Sequence, residues 1–243
     1  MAVAELEDDH HHFQVSIACD GRQVTGATGK AIRFPWSLCP RAAGELARLV
    51  GTPLAPDPTG ILDHGDIRQQ CTHMFDLAGL AIAALGRGSP GYRRYDMQVL
   101  EVDGDLWEAQ LRRDDGFELN WSARLGELSE PAEVAGRSLK GPFSSWARTH
   151  FPGDEFEAAL ALRRTIFVGK FRHRHDLDQR ETAIDSGNMG GCFVLQPQRA
   201  AKARRNKGAT ISFPLDGPGP LAEALSGTSL ESASAISPRE ASR

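Results

Sequence analysis

Cys39, Cys71 and His73 are the residues whose types and positions best suit chemistry. Cys39 stands where a helix N-cap is expected, ahead of Pro40-Arg41-Ala42-Ala43. A thiol there faces unpaired backbone N–H groups and the positive end of the helix dipole, which favours thiolate. Cys71 falls in the opening turn of a second helix, followed by Thr72 and His73. If the intervening loop brings that helix back parallel, the two helix starts lie together, and Asp63, His64 and Asp66 on the loop could complete the group. Two chemistries suit such a set. Cys39, Cys71, His73, His64 and Asp63 could hold zinc or iron, or Cys39 could act as a nucleophile with His73 as its base. Against both stands the ordinary habit of free cysteine, which is to be buried as a small hydrophobe.

Other candidates are better explained without chemistry. His10, His11 and His12 form a tract that could bind metal, but alternation with Phe13 and Val15 makes solvated strand residues the expectation. His173 and His175 share one face if they lie on a strand, a workable ligand pair, yet Arg172, Arg174 and Arg180 around them suit a solvated loop. Cys192 precedes an apolar run and reads as core. Gly187, Gly190 and Gly191 match no phosphate-binding fingerprint, and no G-x-S-x-G, H-E-x-x-H or C-x-x-C occurs.

The elements that must position these residues follow from periodicity. Phe13, Val15 and Ile17 alternate with polar residues, Asp20-Gly21 supplies a turn, and Val24 to Phe34 returns, with Gly26 and Gly29 marking a bulge. Ala42, Ala43, Leu46, Leu49 and Val50 share a helical face, and Gln69 to Leu85 forms a second helix. Gly86 to Gly91 is the one internal boundary. Beyond it, Gln98 to Val102, Leu106 to Leu111 and Phe117 to Trp121 form a β-meander split by Asp-Gly turns. Asp154 to Phe171 is an amphipathic helix with an acidic first turn, Gln198 to Arg205 is helical, and Ala209 to Phe213 is a last strand. The fold class is therefore α+β: an N-terminal strand hairpin with two helices over 1–86, a β-meander with helices over 92–213, and a disordered tail over 214–243, where apolar periodicity fades.

Composition bounds the function classes. Of 243 residues, 40% are hydrophobic and 25% charged, and the net charge of −4 gives no pull toward nucleic acid or anionic membrane. The basic run Lys202, Arg204, Arg205, Lys207 is short and lacks aromatics, so it suits a solvated helix end. No stretch is long and apolar enough to cross a bilayer, and Met1 to Asp9 is acidic, unlike a signal peptide. Four cysteines are too few for a disulfide framework, which points to the cytoplasm.

Phe34-Pro35-Trp36-Ser37-Leu38-Cys39-Pro40, then Leu49-Val50-Gly51, then Cys71-Thr72-His73-Met74-Phe75-Asp76-Leu77 resembles a bacterial domain family of unknown function with the order C-P, L-V-G, C-T-H-L. That resemblance singles out Cys39, Cys71 and His73 and implies no activity. The chain is also similar, more remotely, to NifU- and SufU-type iron–sulfur scaffolds, which implies Cys39 and Cys71 as ligands, although the scaffold's middle cysteine has no counterpart between 40 and 70. The expected function is an enzyme of small-molecule catabolism using the Cys/His pocket. The alternatives are a metal-handling or iron–sulfur accessory protein and a non-catalytic interaction module.

Overall fold

A computed structural model describes residues 1–88, 91–169, 177–186, 189–214 and 219–221. The chain builds two antiparallel sheets, each with a helix on one face, as an α+β fold requires. The first is a three-stranded meander, β1 (Ala2–Glu7), β2 (His12–Cys19) and β3 (Val24–Arg33). It is one strand larger than the expected hairpin. The acidic residues of β1 obscure an alternation: Ala2, Ala4 and Leu6 pack on the core and pair with Ile17, Val15 and Phe13. Charge at every second position belongs to a half-solvated strand. Register breaks at His12/Phe13 and Ala18/Cys19, where β3 carries an extra residue, Ile32 and Thr25 respectively, so one bulge adjoins Gly26 and neither lies at Gly29. Gly29 serves close approach instead: a Cβ there would lie 2.9 Å from Leu46 Cδ1 and 3.1 Å from Met74 Sδ.

After β3 the segment Cys39–Leu49 winds as a 3₁₀ helix rather than an α-helix, burying Cys39, Ala42, Leu46 and Leu49 against the sheet. Helix α1 (Thr72–Gly86) buries Met74, Phe75, Leu77, Ala78, Ala81 and Ile82 in the same core. It presses against the Pro-rich loop before it, since a Cβ on Gly79 would run into the Pro58 carbonyl oxygen.

The second sheet is β4 (Tyr95–Asp103), β5 (Leu106–Arg113), β6 (Glu118–Arg124) and β7 (Glu127–Glu130), in sequence order. Alternation places Ala109, Leu111, Trp121, Ala123 and Leu128 on one face. There they meet α2 (Phe143–His150) and α3 (Glu155–Gly169) through Phe143, Ala147, Phe156, Leu162 and Ile166. The helix α2 was not foreseen, because its apolar positions are few and widely spaced.

The chain then returns to the first unit. Ala183, Phe193, Val194, Ala200 and Ala203 enter the first core, so that core is assembled from two stretches lying on either side of the second unit. Within this return, α4 (Pro197–Ala200) is a single turn rather than a helix to Arg205, and Ala209–Phe213 forms no strand. Ile211 makes one backbone bond, to Asp9, which is too little to propagate a ladder. The tail beyond 221, and His173 and His175, lie outside the described residues. Among the described residues no helix is long and apolar enough to cross a membrane.

Two ion pairs join α1 to α3 in an antiparallel sense. Arg87, just past the end of α1, pairs with Glu157, while Asp76 near its start pairs with Arg164 at 2.6 Å. A further clamp joins Arg148 to Asp57 at 2.7 Å.

Candidate metal centre

The turn between β1 and β2 is built around Asp8. Its Oδ1 accepts the backbone N–H groups of His10 (2.7 Å) and His11 (2.8 Å), while its own N–H donates to the His11 carbonyl (2.9 Å). An Asp side chain that mimics a backbone turn in this way fixes the next residues with little freedom. Arg33 braces the outside of the turn, donating to the carbonyls of Asp8, Asp9 (3.0 Å) and Ala209 (2.9 Å). The consequence is that the His11 ring folds back over Asp8, with Nδ1 3.0 Å from Oδ1 and 3.2 Å from Oδ2.

His73 reaches the same place from the first turn of α1. Its ring lies over that of His11, with centroids 4.1 Å apart and planes inclined by 31°. Among the described residues, Asp8, His11 and His73 are the only three His, Cys, Asp or Glu side chains whose donor atoms all lie within 4.8 Å of one another. The His73 Nε2 atom is buried and has no hydrogen-bond partner. Burial, with His11 adding to it, holds the His73 imidazole well below its ordinary pKa, so the ring stays neutral with a lone pair to give. Burial alone would raise the Asp8 carboxyl, but the charge and hydrogen bond of His11 outweigh it and hold Asp8 below the usual carboxylate range. The Asp8 carboxylate, the neutral His73 imidazole and the His11 ring beside them form a donor set that could take a divalent transition ion.

The spacing fits as well. Bonds of about 2.1 Å at 90–109° put neighbouring donor atoms roughly 3.0–3.4 Å apart, and the 3.2 Å between His11 Nδ1 and Asp8 Oδ2 falls in that range. Oδ1, already occupied by two backbone N–H groups, orients the carboxylate, so that Oδ2 is the oxygen that could bind an ion. Asp8 keeps 25% of its side chain exposed and His11 15%, so one side of the centre is open to water or a small ligand.

Two neighbouring histidines take other roles. His10 is 5% exposed; its Nδ1 lies 3.2 Å from Thr210 Oγ1 and its Nε2 is buried without a partner. Burial pushes its pKa down to about 4. His12 points to the opposite face of the sheet and bonds Glu5 at 2.6 Å. The tract is thus packed rather than solvated, because the returning chain at 209–211 covers the turn.

The sulfurs gather separately. Cys39 is the first residue of its 3₁₀ segment, with Leu38 at the cap, and Cys71 is the N-cap of α1. A backbone bond from Phe193 N to Gln70 O (2.8 Å) brings Cys192 alongside Cys71. The three thiols are near enough that ionising one disfavours ionising the others. Burial pushes Cys71 up to about 12 and Cys39 well above its ordinary value, so the helix start does not make Cys39 a thiolate. Asp63 and His64 are exposed on the loop before α1, where His64 lines a cleft of about 570 Å³ with Arg48, Gly65, Asp66, Gln69 and Gln70. Of the residues singled out by sequence, His73 enters the three-donor group together with His11, whose tract the alternation assigns to a solvated strand; Cys39, Cys71, His64 and Asp63 do not.

Asp8 was missed, and His11 was set aside as a solvated strand residue, because the acidic start hid β1 and the turn that follows it. The available signal was Asp8-Asp9-His10-His11 between two alternating runs, a four-residue turn rich in Asp. No protein-family model matches the chain, and no curated protein or solved structure matches it either.

Proposed function

We propose that the protein holds one divalent first-row transition ion through Asp8, His11 and His73, and uses it on a small-molecule substrate. The convergence of two neutral-capable imidazoles and an ionised carboxylate, one imidazole with a buried unpartnered nitrogen, carries this reading. Three protein donors leave the rest of the coordination sphere to water and substrate, the arrangement of a working centre rather than a closed structural one. Zinc and ferrous iron both suit the donors. A bound ion would act as a Lewis acid or lower the pKa of a water. The chain's own part is to orient Asp8 through its turn, to keep His73 neutral, and to shield the inner side with the packed rings.

The test is uptake of Zn²⁺ or Co²⁺ by chelator-treated protein, followed by calorimetry and elemental analysis. One ion per chain is expected, with affinity reduced more than about tenfold in His73→Ala and Asp8→Asn. Equal uptake by wild type and both variants would refute the site.

A second reading places the ion on sulfur, at Cys39 and Cys71, with His73, His64 or Asp63 completing the set. The gathering of Cys39, Cys71 and Cys192 in one part of the core favours it. It predicts that Cys39→Ser and Cys71→Ser abolish uptake while Asp8→Asn does not.

A further inference from the structure

We infer that the ligand acted on at this centre is a small carboxylate, bridging the ion and the guanidinium of Arg164. The inference rests on the metal reading above and deepens it. Asp76 follows His73 by three residues on α1, so the two side chains share one helix face. Arg164 comes from α3 of the second unit and seats its Nη2 2.6 Å from Asp76 Oδ2. A cation from the second unit is therefore paired with a residue about one helical turn from a ligand of the first.

Arg164 is not fully used by the fold. Its Nε–H is buried and has no hydrogen-bond partner. The neighbouring Arg163 shows what a structural arginine looks like here: its Nε donates to Leu139 O at 2.6 Å, and its guanidinium lies over the rings of Phe143 and Phe167. A planar guanidinium with a spare donor recognises a carboxylate in a fixed orientation, which an ammonium would not. The substrate would thus bind with one carboxylate oxygen toward the ion's open side and the other toward Arg164, in competition with Asp76 for the guanidinium.

The experiment uses the full chain loaded with Co²⁺, whose visible absorption reports its ligands, and titrates acetate as the probe. In the wild type, acetate should change the spectrum saturably. In Arg164→Gln, Co²⁺ affinity should stay within about twofold while acetate binding weakens at least tenfold. Asp76→Asn removes the carboxylate that competes for Arg164 and should tighten acetate binding, a gain that a merely structural Arg164 would not give. Acetate that binds equally to wild type and Arg164→Gln, or leaves the wild-type spectrum unchanged, overturns the inference while the metal centre stands. Absence of Co²⁺ uptake by the wild type overturns both.

Discussion

Acidifying the chelator-treated protein from pH 7 to pH 5 should cost it stability in proportion to its buried neutral histidines. His10 sets the scale. Its pKa lies at about 4 in the folded chain against 6.5 ordinarily, because burial disfavours the imidazolium and the nearby cations Arg205 and Arg33 add to that. A folded-state pKa that is depressed means stability present above pH 6.5 and lost as the pH falls toward 4, since only the unfolded chain takes up the proton in that window. At about 1.4 kcal/mol per pH unit, the 1.5 units between 6.5 and 5 amount to about 2 kcal/mol for His10. His73 is depressed in the same direction and adds to the loss. Asp8 adds nothing to this loss, because the stability given by its lowered folded-state pKa is fully present throughout pH 5–7 and is lost only as the pH falls below about 4. Urea denaturation at pH 7 and pH 5 measures the loss. His10→Asn, which keeps a polar group toward Thr210, isolates the His10 share: its loss of stability between pH 7 and pH 5 should be smaller by about 2 kcal/mol. An unchanged loss in that variant would show that His10 is not buried neutral.

Three further outcomes can be checked by ordinary means. Glu157→Ala removes the buried acceptor of Arg87 and Tyr95 and should cost about 3–5 kcal/mol in urea denaturation, because it leaves a buried charge uncompensated. Gly29→Ala should cost about 1–3 kcal/mol, as its methyl meets Leu46 and Met74 before either can retreat into a filled core. A thiol reagent at pH 8 should modify half-buried Cys19 well before Cys39 and Cys71, with the last two reacting on the timescale of unfolding; rapid labelling of Cys39 would mean that its surroundings are not as buried as described.

Much of the fold was legible in the sequence because it rests on period-two and period-3.6 patterns. Phe13, Val15 and Ile17 declared β2, the Asp-Gly turns divided the second sheet, and the apolar face of α1 marked the helix that carries His73. β1 was hidden because Glu5 and Glu7 occupy its solvent face, where they pair with His12 and Arg33, and charge alone resembles a leader. The 3₁₀ winding of 39–49 leaves no mark in residue types, since its buried positions recur at spacings of three and four, as an α-helix would have them. The site was legible only by half. His73 was marked by its place at a helix start, but the partners of a nitrogen buried by tertiary packing lie 62 and 65 residues earlier in the chain, and spacing carries no record of that meeting. The cysteines drew attention through their chemistry, which burial suppresses.

The split construction of the first core sets an order of assembly during synthesis. The first unit leaves the ribosome before the second, yet it lacks Phe193, Val194, Ala200 and Ala203 until the rest of the chain has followed. The second unit, whose core draws only on residues 95–167, can close as soon as it emerges. Once folded it acts as a compact bridge, so the returning segment meets its dock across a short gap instead of the full length of loose polypeptide. The part born first is therefore the part finished last.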